Sequence, residues 1–154
     1  MKIKYLDGDA TRPVGGGDII IAHICNDIGM WGAGFVLAVS KRWPGPEAEY
    51  RKKIKNSQHY LGDTQFVSVE PNLTVVNMIA QKGIRSNKNI FPIRYTALSF
   101  CLREVNHIAV NSNSTVHMPM IGAGLAGGNW ETIEKIIENV LEVQAYVYKF
   151  KGGA

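Results

Sequence analysis

The sequence predicts an α/β fold, three layers deep (α/β/α), with a mixed and largely parallel central sheet. Three observations carry that expectation. Residues 18–26, DIIIAHICN, form a nearly unbroken apolar run, the pattern of a strand buried on both faces and so of a helix-covered parallel sheet. Segments of strand character alternate with segments whose apolar residues recur at helical spacing over most of the length. The chain has 154 residues, 45% hydrophobic and 19% charged. That is enough apolar material for one compact domain spanning 1–154 without a disulfide staple.

Each element has its own reason. Residues 3–6 are a short strand and 18–26 the buried one. Residues 35–43 read as a helix because Phe35, Val36, Val39 and Trp43 make one apolar stripe, and Pro44-Gly45-Pro46 stops it. A short helix, 47–55, follows. Residues 64–69 and 73–80 are strands separated by the turn signal Glu70-Pro71-Asn72. Residues 92–106 form a helix opening at Pro92, with Leu98, Leu102 and Val105 along one side. Residues 115–118 are a strand. Asn129 caps a helix over 130–141, striped by Trp130, Ile133, Ile136, Ile137 and Val140. Residues 145–150 are the last strand. In a sheet of this kind a ligand lies beyond the carboxyl ends of the strands.

Composition narrows the function. The formal charge of +4 mildly favours anionic partners. The basic residues are scattered except in 41–42, 51–55 and 82–88, and the first two groups adjoin helices as solvated faces. A nucleic-acid footprint is denser and interleaved with aromatics, so no specific nucleic-acid partner is expected. No apolar run reaches the roughly 18–20 residues of a membrane span, and no membrane partner is expected. The opening MKIKYLDGD puts acids where a secretory signal needs an apolar core. Cys25 and Cys101 sit inside apolar segments, as free thiols do in a reducing, cytoplasmic compartment. No Cys/His/acid cluster has metal-ligand spacing, and neither a metal nor a cofactor is expected.

The chemistry gathers in glycine loops. Residues 121–128, IGAGLAGG, contain a literal G-x-G-x-x-G at Gly122, Gly124 and Gly127. A dinucleotide-binding turn opens its fold, however, and here only one helix and one strand follow. The local physics remains: a strand, a loop without side chains and a helix N-terminus present backbone N–H groups to an anion. Alternatively, the glycines only supply turns with positive φ. Residues 18–26, the loop Gly29-Met30-Trp31-Gly32-Ala33-Gly34 and the helix from Phe35 form a second such unit. Two loops of this kind can converge on one diphosphate. Asp9, after the first strand, either accepts from an exocyclic amine such as that of adenine or makes an Asx turn. Trp31 either stacks on a ribose or plugs the core. The basic stretch 82–88 leans over an anionic ligand or is simply solvated.

With these residues in hand, the chain resembles a macrodomain. The ordered set is Gly8-Asp9-Ala10-Thr11, His23-Ile24-Cys25-Asn26, Trp31-Gly32-Ala33-Gly34 and Met118-Pro119-Met120-Ile121-Gly122-Ala123-Gly124-Leu125. The branch it looks like holds yeast ADP-ribose-1″-phosphate phosphatase and human terminal ADP-ribose protein glycohydrolase. The resemblance implies ADP-ribose or an ADP-ribosyl derivative, free or on a modified protein, in a cleft at the top of the sheet. It implies Asp9 and Ala10 at the adenine, with Tyr148 or Phe150 packed on it. Trp31, Gly32, Ala33 and Gly34 would wrap the diphosphate and distal ribose from one side, and Ile121, Gly122, Ala123, Gly124 and Leu125 the diphosphate from the other. Asn26 would contact the distal ribose.

For catalysis at the distal ribose, the resemblance offers two routes. One uses a lysine and an aspartate. That pair is not retained, because Ala126 follows Leu125 and Gln81 stands at the lysine position with Lys82 beside it. A shift of one residue in a strand turns a side chain to the other face, so Lys82 needs a bulge or a loop to reach the site. The other route is a histidine, His23, acting as general base that activates water toward a terminal phosphate, or else His23 is a core residue satisfied by the backbone. In a regular strand His23 and Asn26 point to opposite faces unless the strand ends between them. The expected function is binding of an ADP-ribose derivative with hydrolysis. The alternative, favoured by Ala126, is a non-enzymatic reader of ADP-ribose.

Overall fold

The structure, a computed structural model, describes residues 3–55 and 60–150. The elements are β1 (Lys4–Asp7), β2 (Ile19–Asn26), α1 (Phe35–Arg42), α2 (Gly45–Lys55), β3 (Thr64–Glu70), β4 (Leu73–Gln81), α3 (Tyr95–Ser112), β5 (Thr115–Pro119), α4 (Trp130–Val140) and β6 (Ala145–Lys149). The six strands form one sheet in the order β1-β6-β5-β2-β4-β3. Only β3 is antiparallel to its neighbour.

Alternation along β2 explains the three layers. Ile20 and Ala22 face one way and join Leu98, Leu102, Ile133 and Ile137 of α3 and α4. Ile19, Ile21 and Cys25 face the other way and join Val36, Val39 and Tyr50 of α1 and α2. Both cysteines are buried and free. Beside α1 and α2, that second face carries His117, stacked on Tyr146 at 4.6 Å. His117 Nδ1 lies 2.8 Å from the Tyr148 hydroxyl, which also accepts from the Val14 amide at 2.9 Å and so ties down the segment between β1 and β2.

Several boundaries differ from expectation, for physical reasons. Pro44-Gly45-Pro46 ends α1, but Gly45 and Pro46 also open α2, where a proline in the first turn costs no hydrogen bond. Pro92 does not start α3. Residues 92–94 are extended instead: the Pro92 carbonyl accepts from the Lys82 amide, and the amides of Ile93 and Arg94 bond to the carbonyls of Ala126 and Ala80. The helix begins at Tyr95 and runs to Ser112, where Asn113 ends it in the left-handed conformation (φ 53°). Phe150 falls outside β6 and is exposed.

The turn after β2 hangs on one side chain. The buried Tyr50 hydroxyl donates to Asn26 and accepts from the Gly29 amide at 3.1 Å. Tyr50→Phe leaves those buried backbone groups short of a partner, which costs about 1–3 kcal/mol of stability. Urea unfolding of the two proteins checks this, and equal midpoints would contradict it.

Candidate functional site

The sheet topology creates the site. After β2 the chain passes to the α1 face, whereas after both of its neighbours, β5 and β4, it passes to the α3/α4 face. Chains that part in opposite directions leave a crevice at the carboxyl ends of the strands. A cavity of about 610 Å³ lies there, lined by the ends of β2 (His23 to Asn26), β4 (Gln81) and β5 (Pro119) and by the loops that follow them.

Both glycine loops meet at this cavity. Gly32, Ala33 and Gly34 line one side and Ile121, Gly122, Gly124, Leu125 and Ala126 the other. They touch across it: a Cβ on Gly34 would lie 3.0 Å from Leu125 Cδ1. Gly34 (φ 83°) is also the N-cap of α1 and offers no capping side chain. The first amides of α1 have no carbonyl a turn earlier within the helix; the Leu37 amide bonds to the Gly34 carbonyl at 3.1 Å, and Phe35 and Val36 line the cavity. Helix α4, by contrast, carries a side-chain cap: Asn129 accepts from the Thr132 amide at 3.0 Å. The helix start that lines the cavity is that of α1; no residue of α4 does.

The glycines divide into two groups. At Gly122 (φ 73°) a Cβ would press on Ile133, Ile93 and Ile24 at 3.0–3.3 Å, and at Gly128 it would lie 2.5 Å from the Gly122 carbonyl oxygen. The fold requires these two. Gly32 and Gly124 have no positive φ and nothing within 4 Å of a Cβ. Neither conformation nor packing explains why they lack a side chain, and both face the cavity.

The loop walls are held by side chains. Asn26 accepts from the amides of Ile28 and Met30 and donates to the Met30 carbonyl at 2.7 Å. Its side-chain amide is thus engaged within the loop, and it lines the cavity as a scaffold. The pairing of β2 with β4 slips between Cys25 and Asn26, so that Asn26 sits opposite Gln81. Asn26, the last residue of β2, bonds to the Tyr50 hydroxyl of α2, on the side where His23 packs against Trp31 and Phe35, so at the strand end the two do not take opposite faces. Gln81, exposed to the cavity, donates to the Gly83 carbonyl.

Several residues expected in the site lie elsewhere. Trp31 is 3% exposed and belongs to the core, with its indole N–H donating to Ser40 Oγ at 2.7 Å. Lys82 is exposed and absent from the lining, because the one-residue step beyond Gln81 turns it outward. Ala123 is likewise absent from the lining. Asp9 Oδ1 accepts from Thr11 N and Thr11 Oγ1 at 2.8 and 2.7 Å, an Asx turn. Asp9, the buried Ala10 and the exposed Phe150 do not line this cavity, and Tyr148 is buried with its hydroxyl in use. Phe35, expected only in the helix stripe, lines the cavity at the first turn of α1, and so do Met120 of the late loop and Arg85 of the basic stretch 82–88.

His23 lines the cavity and is 1% exposed. Asn77 donates to the Pro46 carbonyl and to Gln65 Oε1, so its Oδ1 is the acceptor for His23 Nε2–H at 2.6 Å. This fixes the neutral tautomer with a lone pair on Nδ1, the one buried side-chain polar atom without a partner among the described residues. Burial pushes the imidazole down to about 4, the bond to Asn77 opposing. Among the lining residues there is no carboxylate, and Arg85 is the charged one. Among the described residues, no group of three or more His, Cys, Asp or Glu could hold a metal ion, and no helix is long and apolar enough to cross a membrane.

No family model matches the chain. A protein of unknown function from Bacteroides thetaiotaomicron is 51% identical, with a TM-score of 0.93 over 96% of this chain and 98% of that one. A macrodomain protein from Streptomyces coelicolor is 44% identical, with a TM-score of 0.86 over 96% and 99%. The chain belongs to the macrodomain family. This macrodomain is also 26% identical, over 95% of its length and 98% of the other, to an ADP-ribose 1″-phosphate phosphatase of Candida albicans. It shares its fold, at 18% identity and a TM-score of 0.67 over 88% of this chain and 38% of that one, with Thermosipho africanus DarTG, solved in complex with ADP-ribose.

His23 and His117 both lie near 4 in the folded protein and near 6.5 when unfolded. The folded state therefore binds fewer protons in that window. Stability is complete above pH 6.5 and is lost as the pH falls toward 4. Between pH 6.5 and about 5, where carboxylates stay ionised, urea unfolding is expected to show a slope approaching two protons, reduced in His117→Gln. A flat profile would contradict both burials.

Proposed function

We propose that this macrodomain, acting as one domain over 1–154, binds ADP-ribose or an ADP-ribosyl derivative in the crevice above β2 and hydrolyses it at the distal ribose. The supporting observation is the pair of glycines, Gly32 and Gly124, that nothing in the fold requires and that leave the cavity walls bare on both sides. Bare backbone beside the open N-terminus of α1 suits a diphosphate. A cavity lined without carboxylates spares that anion repulsion.

Scale supports the rest of the ligand. Strands lie about 4.8 Å apart, so the four steps from β1 to β4 span about 19 Å, close to the length of an extended ADP-ribose. Asp9, at the end of β1, then stands where the adenine arrives, outside the cavity that takes the diphosphate and distal ribose. Asp9 keeps a second carboxylate oxygen for the exocyclic amine while its first holds the turn.

For hydrolysis, His23 Nδ1 is the lone pair available to a water beside the distal ribose. On ADP-ribose-1″-phosphate the water oxygen bonds to phosphorus and the bond from phosphorus to the ribose oxygen breaks. The proton taken from water by Nδ1 passes to the leaving hydroxyl. Removal of ADP-ribose from a modified protein uses the same end of the cleft. The reading as a reader without turnover has its own support: Ala126 is 4% exposed in the cavity wall where an acid would serve, and burial makes His23 a weak base.

Incubation with ADP-ribose-1″-phosphate and with mono-ADP-ribosylated glutamate protein separates the two. Release of phosphate or of ADP-ribose, abolished in His23→Ala, establishes hydrolysis. Saturable ADP-ribose heat without turnover leaves the reader, and no binding at all sinks both. Gly32→Val and Gly124→Val are each expected to weaken ADP-ribose more than about tenfold while melting within about 2 °C of the parent, because the added groups meet ligand and not protein. Unchanged affinity would remove the main support for the site.

A further inference from the structure

The loop between β4 and α3 is built more firmly than a solvated connection needs to be. Ser86 and Asn89 exchange backbone hydrogen bonds at 3.1 and 3.0 Å. The Asn89 side chain donates to the carbonyls of both Lys82 and Ile84, at 2.8 and 2.9 Å. Asp27, from the loop after β2, accepts from the Gly83 amide at 2.8 Å, and its own amide bonds to the Gln81 carbonyl. The loop is thereby a small hairpin fixed to the rim, and it presents Arg85 to the cavity. Arg85 makes no ion pair or side-chain hydrogen bond among the described residues. Asp27, which is bonded to this loop, is occupied with Gly83 and does not line the cavity.

Position gives this cation a meaning. The diphosphate belongs between the two glycine loops, above β2 and β5, and the adenine toward β1. Gln81 and Arg85 lie at the opposite end, beyond β4, where the anomeric substituent of the distal ribose emerges. The diphosphate already has the amides of α1. Resting on the ADP-ribose reading above, we propose that Arg85 is a specificity-determining residue that recognises a second anionic group, a phosphate monoester on the distal ribose, with Gln81 beside it on the ribose hydroxyls. A guanidinium pairs with a phosphate through two parallel N–H bonds, which an ammonium cannot reproduce.

Calorimetry with ADP-ribose and with ADP-ribose-1″-phosphate tests this on the wild type, Arg85→Ala and Arg85→Lys, with phosphate release followed in parallel to correct for consumption. The wild type is expected to bind the phosphorylated ligand about tenfold tighter, the value for a charge-assisted contact partly open to solvent. Arg85→Ala abolishes the preference and leaves ADP-ribose within about twofold, Arg85→Lys keeps part of it, and raising the salt concentration narrows it. Equal wild-type affinities, or an equal loss for both ligands in Arg85→Ala, would overturn the role of Arg85 while leaving the ADP-ribose site standing. Failure of ADP-ribose itself to bind the wild type would overturn both.

Discussion

Strand β2 is flanked by two parallel neighbours and sends the chain to one face of the sheet, while those neighbours send it to the other. Everything at the top of the molecule depends on that parting. Two helices cannot fill the space above a strand when they leave in opposite directions, so a crevice remains. The loops that cross it must be short of side chains to approach each other, as Gly34 and Leu125 do. The apolar run of β2 makes this possible, because a strand buried on both faces can carry helices on each side. The site is thus a consequence of topology before it is a consequence of any functional residue.

The same constraint explains where polar side chains are spent. Asn26, Tyr50 and Asp27 carry out work that a longer loop would leave to water: they hold the backbone of 26–30 and 81–83 in place. Trp31 fills the space behind that loop and does not face the cavity. The cavity wall is largely backbone, alanine and apolar groups, with the amides Asn26 and Gln81, the imidazole of His23 and the one charged group, Arg85. His23 is neutral and offers a lone pair. Arg85 is a cation on a fixed hairpin. They sit in a wall without carboxylates, which favours an anionic ligand over a cationic one.

Much of this was legible in the sequence. The period of the apolar residues revealed the order of strands and helices, the burial of β2 and the cap at Asn129. The two strand–glycine loop–helix units revealed the cleft. The places where reading failed share a cause, which is contact between segments distant in the chain. Nothing near Trp31 announces that Ser40 and the α2 layer will receive its indole. The slip between Cys25 and Asn26 is a pairing event between two strands, and it sets Asn26 opposite Gln81. The Pro92 segment reads as a helix start until Ala126 and Lys82 are seen to bond to it. A signal for Asn26 was present: an asparagine followed by Asp27-Ile28-Gly29 is a turn former, and its amide is used for that. The glycine pattern alone could not separate Gly122 and Gly128, which packing demands, from Gly32 and Gly124, which it does not.

The central claim is that the crevice above β2, between the two glycine loops, is where the ligand binds. Backbone amide NMR during an ADP-ribose titration tests it most directly. The account predicts saturable shifts concentrated in residues 31–36 and 121–126, with smaller ones at 9–11 and 81–85. Saturable shifts confined to the opposite end of the sheet, around Arg12, Arg42 and Asn72, or none at millimolar ligand, would contradict it.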